Sequence, residues 1–205
     1  VKKPVLIFLL ISLVGSCGEK HEKVPEKADG TIKTKSRTTK EKANPYAGLS
    51  YSIITEKRGW PLKNDSLKKI INSWIKEKDE AGINGLADFI LQLTANQLNF
   101  SFGKCGSDPS ALIKKGDANC VGYAAFFNAL MNYALQQKPF SKKYLCRHYA
   151  GKIYFAGQNI NALFNDPFFK DHDFNIIKSR DGKVEIGVDP SLYEYMNVKR
   201  VLVRK

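Results

Sequence analysis

Three residues have the types and spacing for covalent chemistry: Cys120, His172 and Asp189. Cys120 lies in NCVGYA, between the loop-like stretch KKGDA and the apolar run VGYAAFFNALMNYAL. That run is apolar on nearly every helical face, through Val121, Ala124, Phe126, Phe127, Leu130, Met131, Tyr133 and Leu135, which predicts a central, buried helix. A thiol at its first turn is held rigidly. The unpaired N–H groups and the dipole of a helix start favour an anion there, and the thiolate is the nucleophilic form of cysteine. A buried cysteine on its own is a small hydrophobe. The other two residues change the reading.

His172 begins HDFNIIKS (172–179), and Asp189 ends KVEIGVD (183–189). Arg180-Asp181-Gly182 separates them, and Asp-Gly between two such runs is the strongest short hairpin signal. With a two-residue loop, Arg180 faces Lys183, Ile176 faces Gly187 and Phe174 faces Asp189. His172 then sits one diagonal step from Asp189 on the same face, about 7–8 Å away at the backbone, within reach of an imidazole and a carboxylate. A four-residue loop keeps this register. A three-residue loop moves one partner to the other face. An imidazole so placed pairs with the thiolate and later protonates the leaving group. The carboxylate orients it and stabilises its cation. The backbone N–H of Cys120 is a candidate oxyanion donor, with Gln97 or Asn99 as a candidate second donor.

The elements that position these residues are legible in outline. SLKKIINSWIKEKDE (66–80) follows an Asn64-Asp65-Ser66 cap signal, with Leu67, Ile70, Ile71, Trp74 and Ile75 at helical spacing. NGLADFILQLTANQL (84–98) predicts a second amphipathic helix. Residues 101–118 read as a Gly-, Ser-, Lys- and Asp-rich connection. After the Cys120 helix, KYLCRHYAGKIYF, the hairpin and YEYMNVKRVLV read as strands. Helices followed by antiparallel strands suggest an α+β domain.

NCVGYAAFFNALM, then HDFNII, then VDPS resembles the transglutaminase-like superfamily over roughly Leu86 to Leu192. The resemblance implies a papain-related core, in which a buried Cys-bearing helix packs on an antiparallel sheet carrying His and Asp. By position it makes Cys120 the nucleophile, His172 the general base and acid, and Asp189 the orienting carboxylate. It implies a thioester intermediate passed to water or to an amine, hence a cysteine protease, amidase or acyltransferase acting on peptides or proteins. Ala118 stands where the family often has Gly, Phe174 where it usually has Trp, and residues 154–171 look like an insertion. NCVGYA also resembles the start of cell-wall endopeptidases of the same broad fold group, which cleave peptidoglycan stem peptides. A non-catalytic module that holds a peptide or wall polymer in the same cleft is the other alternative.

The N-terminus addresses the chain to an envelope. Lys2 and Lys3 precede an apolar run from Val5 to Val14, too short for a spanning helix, and small residues lead to Cys17. Val14-Gly15-Ser16-Cys17 resembles a bacterial lipobox, which implies cleavage after residue 16 and acylation of Cys17. The expected organisation is a signal peptide (1–16), a lipidated, disordered tether (17–45) and a folded domain (46–205). Gly18 gives no inner-membrane retention signal of the Asp type, so the outer membrane is preferred. The formal net charge is +13 and the chain has 205 residues, enough for one ordinary domain. Such charge suits anionic lipid or wall polymers. No basic stripe interleaved with aromatics forms a nucleic-acid motif, so no nucleic acid is expected. Neither a cofactor nor a metal is expected. Cys105 and Cys146 either bridge across the helix or remain separate thiols. His148 reads as structural, and Asn175 as facing away from the site.

Overall fold

The computed structural model describes residues 48–204. The expected signal peptide, Cys17 and the tether lie outside the described residues. β1 (Leu49–Glu56) buries Leu49 and Tyr51 on one face. Helix α1 (Asp65–Glu77) starts where the Asn64 side chain accepts the Leu67 N–H at 2.9 Å, and it buries Leu67, Ile71 and Ile75 at helical spacing. α2 (Gly82–Gln97) leads into β2 (Asn99–Phe100).

The connection expected over residues 101–118 contains a helix, α3 (Pro109–Lys115). Asp108 caps it by accepting the Ser110 N–H, Pro109 occupies its first turn, and Gly116 closes it at φ +76°. β3 (Asp117–Ala118) then pairs in parallel with β2 and delivers the chain to α4 (Cys120–Gln136). α4 is buried on most sides, as its composition predicts.

Strands β4 (Tyr144–Phe155), β5 (Gln158–Asn159), β6 (His172–Ser179) and β7 (Glu185–Val188) follow. The stretch read as a final strand opens as a helix: α5 spans Pro190–Met196, and only Leu202–Val203 form β8. Asp189 caps α5 by accepting the Ser191 and Leu192 N–H groups, and Pro190 pre-sets the first turn. Asn197 ends the helix in the left-handed region at φ 54°.

The main sheet runs β7-β6-β4-β1-β8. It is antiparallel except at β1–β8, which pair in parallel and so depart from the wholly antiparallel sheet expected. The cause is the α5 turn, which reverses the chain before its last strand. A bridge between Gly187 and Val201 joins the two ends, so the sheet is nearly closed. Its two faces carry separate cores. Ile177, Ile186 and Val188 join α1, α2 and α4 in the larger core. Leu49, Tyr51, Tyr149, Phe174 and Ile176 pack on the opposite face with Val198 and Val201. The architecture is mixed α+β. Among the described residues no helix is long and apolar enough to cross a membrane.

Candidate active site

The β6–β7 hairpin has the register that brings His172 to Asp189. Ile176 lies opposite Gly187, with Ile177 opposite Ile186 and Asn175 opposite Val188. The loop is the four-residue form: the Ser179 N–H donates to the Val184 carbonyl at 2.9 Å, and Gly182, at φ +75°, donates back to Ser179. His172 Nε2 lies 2.7 Å from Asp189 Oδ2.

Asp189 is fully buried. Its Oδ2 also accepts the Tyr51 hydroxyl at 2.6 Å. Its Oδ1 accepts the Ser191 N–H, the Ser191 hydroxyl and the Leu192 N–H at 3.0, 2.7 and 3.1 Å. Burial alone would raise the carboxyl pKa. The His172 charge and the hydrogen bonds from His172, Tyr51 and Ser191 outweigh it and hold Asp189 below the usual carboxylate range.

Cys120 opens α4 and is 7% exposed. Asn119 caps the helix: its side chain accepts the Gly122 N–H at 3.3 Å and its carbonyl the Tyr123 N–H at 2.9 Å. The N–H groups of Cys120 and Val121 have no acceptor inside the helix. Cys120 lies close enough to His172 for its charge, as thiolate, to favour the imidazolium. Burial works against the imidazolium, but the Asp189 and Cys120 charges and the hydrogen bond to Asp189 override it. The His172 pKa therefore stands well above the usual histidine range. Since Asp189 takes Nε2, the nitrogen left for the thiol is Nδ1.

Two partners of this constellation were not expected from the sequence. Tyr51 comes from the first strand; burial, then the Asp189 charge, push its pKa well above 10, so it remains a donor. Ser191 binds Asp189 and lies 3.4 Å from His172 Nε2. The signal for Ser191 was the Asp-Pro-Ser cap. For Tyr51 it was only the Leu49/Tyr51 alternation.

Asn99 is engaged at the start of β3 rather than at Cys120. In the parallel pairing Asn99 stands beside Asp117 and Phe100 beside Ala118, so Ser101, not Asn99, continues toward the thiol. The Asn99 amide donates to the Gly116 carbonyl, and the buried Gln97 Nε2 has no hydrogen-bond partner among the described residues. Cys105 and Cys146 are unbridged. Cys105 Sγ lies 2.8 Å from Asn119 Oδ1 at the start of α4, whereas Cys146 packs beside Asn128 in its middle, so the helix separates them. Burial pushes the Cys146 thiol far above its ordinary range. His148 forms a second buried pair with Asp173 at 2.6 Å. Asn175 faces away from His172, donating to the Ala124 carbonyl of α4 at 3.0 Å.

This arrangement has the parts of a thiolate–imidazolium pair with a buried, fully bonded carboxylate behind it, beside a helix start able to receive negative charge. No family model, curated protein or solved structure matches the chain.

Proposed function

We propose that the chain is a lipid-anchored envelope protein with a transglutaminase-like core, acting through a thioester as a cysteine hydrolase or acyltransferase on peptide or protein substrates. One observation carries this reading. The His172 ring is bound through Nε2 to a buried carboxylate, while Cys120 opens a buried helix close enough for its charge to act on the same ring.

The steps follow from these groups. The Cys120 thiolate attacks an amide carbonyl, forming a C–S bond. Negative charge gathers on the carbonyl oxygen, where the first-turn N–H groups of α4 can receive it. As the C–N bond breaks, imidazolium His172 gives its Nδ1 proton to the departing amine. The acyl group is left as a thioester. Neutral His172 then takes a proton from water or an incoming amine, which attacks the thioester and returns the thiolate. Asp189 stabilises the cation at each turn without itself taking a proton. The anchor is the acylated Cys17 expected from the lipobox, and the outer membrane is its proposed location.

The test is the iodoacetamide reaction of the full chain against pH, resolved to each cysteine by mass spectrometry, beside His172→Ala. Cys120 is expected to react well below pH 8 and to lose at least about tenfold of that rate without His172. A Cys120 that is inert, or that behaves like a free thiol in both proteins, overturns the proposal.

A further inference from the structure

Six aromatic residues form a continuous cluster on segments that neighbour the three site residues. Phe100 and Phe102 lie on the segment beside β3. Their ring centroids are 5.1 Å apart, and Phe100 also meets Tyr195 of α5 at 5.0 Å. Phe102 touches Phe168 and Phe169 at 5.7 and 6.2 Å, and Phe169 touches Phe164 at 4.8 Å. Each contributing segment adjoins one of the three site residues in the chain or in the sheet. Phe100 pairs with Ala118, two residues before Cys120. Phe169 is three residues before His172, and Tyr195 is six after Asp189.

The cluster is held by polar pins rather than by burial. The Ser101 N–H donates to Ala118, and the Asn119 side chain donates to the Gly103 carbonyl at 3.3 Å, so Phe102 is fixed from both sides. Asn119 is also the cap of the Cys120 helix, which couples the Phe102 loop to the thiol. Buried Asn161 donates to the Phe169 carbonyl at 2.8 Å and accepts the Ile153 N–H at 2.6 Å. Lys170 donates to the Phe164 carbonyl at 2.6 Å. Despite this bracing, Phe102 remains 41% exposed and Tyr195 46% exposed. Exposed aromatic surface of this extent is retained where it meets a ligand.

Resting on the reading of Cys120 as a nucleophile, we infer that this cluster is the acyl-donor subsite and takes a peptide with a large apolar or aromatic side chain on the residue before the one that bears the reacting carbonyl. Continuity with the site selects the occupant, because the segments carrying these rings adjoin Cys120 and His172 in sheet and chain, so a peptide held at Cys120 has the rings within reach. Ring geometry selects its chemistry. The rings meet edge to face, at 84° for Phe100–Phe102, 60° for Phe102–Phe168 and 76° for Phe100–Tyr195. Rings packed on one another in this way present their outer faces and edges to an apolar side chain laid against them, whereas a sugar ring needs one flat platform with polar groups at its rim. Five of the six residues are Phe, which offers no hydrogen bond.

The experiment compares alkylation of Cys120 in the full chain by acetyl-Phe-Gly, acetyl-Gly-Gly and acetyl-Asp-Gly chloromethyl ketones. In each, the thiolate displaces chloride and a C–S bond forms. Rates are divided by the iodoacetamide rate of the same protein. The Phe reagent is expected to react about tenfold faster than the Gly reagent, consistent with burial of one phenyl ring. That ratio should fall to near one in Phe102→Ser with Phe168→Ser, each rate again divided by that variant's own iodoacetamide rate. Equal rates for the three reagents, or a ratio that survives both substitutions, overturns the subsite. If iodoacetamide finds Cys120 inert, the catalytic reading fails separately. Saturation-transfer NMR with acetyl-Gly-Phe-Phe-Gly-amide on Cys120→Ala protein then decides the subsite: a signal on the Phe rings that is lost in Phe102→Ser supports it, and no signal overturns it.

Discussion

Tyr51 and His172 meet at one oxygen, Asp189 Oδ2, at 2.6 and 2.7 Å. Their rings are tilted by 56° with centroids 6.0 Å apart. The tyrosine therefore sets how much of the carboxylate's negative charge the histidine receives. Tyr51→Phe keeps the ring and its packing on Phe174 but deletes one donor to a charged acceptor. It is expected to cost about 1.5–3 kcal/mol of stability in urea unfolding. It should also shift the pH profile of Cys120 alkylation. An unchanged midpoint and an unchanged profile would remove Tyr51 from the site.

Asp189→Asn isolates the charge. The asparagine oxygen still caps α5, so the fold near Pro190 is retained, while the His172 cation loses its buried counter-ion. Breaking such a pair costs about 3–5 kcal/mol. Cys120 alkylation at neutral pH is expected to slow at least tenfold, with most of the loss above pH 6. If the variant alkylates as fast as the parent at every pH, the carboxylate does not support the imidazolium.

The same pair dictates a stability profile. Burial opposes charge on both residues, and their attraction outweighs it, so His172 is raised and Asp189 lowered. The His172 contribution is fully present below its unfolded pKa of about 6.5 and is lost as pH rises through its higher folded value. The Asp189 contribution is present above its unfolded pKa of about 3.9 and is lost as pH falls through its lower folded value. Urea midpoints measured across pH should therefore form a plateau between about 4 and 6.5, declining on either side. In His172→Gln the alkaline decline should shrink. A parent protein equally stable at pH 5 and pH 9 would contradict the pairing.

Gly151 stands opposite His172 in the β4–β6 ladder. A Cβ there would collide with the Ser52 carbonyl and lie 2.8 Å from Phe174. Gly151→Ala must push β1 outward, moving Tyr51 with it. The expected cost is about 1–3 kcal/mol or more, with a fall in Cys120 reactivity although no reacting atom is altered. Thermal melting and alkylation measured together test this. A variant as stable and reactive as the parent would mean that β1 yields freely.

The hairpin was legible in the sequence because a turn signal and period-two alternation agree, and any even loop leaves His172 and Asp189 on one face. The Cys120 helix was legible from its length and all-round apolarity. The short helices were not. Asp108-Pro109-Ser110 and Asp189-Pro190-Ser191 are the same tripeptide, and each starts a seven-residue helix with Asp as cap and Pro at the first position. Neither helix is long enough to establish a period, so one was read as a connection and the other as a strand. Tyr51 was missed because its partners are far away in the chain, and only the folded sheet puts β1 beside β4. The parallel pairing of β8 was hidden for the same reason, since it depends on the reversal at Asn197.

The Tyr51–Asp189 bond joins residues 138 positions apart. Cys120 lies between them in the chain, so the thiol is made before the carboxylate that bonds to His172. A chain growing from its N-terminus presents the thiol first, then the imidazole, and the acid last. With contacts this distant, folding is slow relative to local helix formation. Until the β6–β7 hairpin has formed and Tyr51 has joined it, the thiol has no organised proton partner. The order of residues thus leaves the pairing of thiol, imidazole and acid to the whole folded chain rather than to any shorter segment of it.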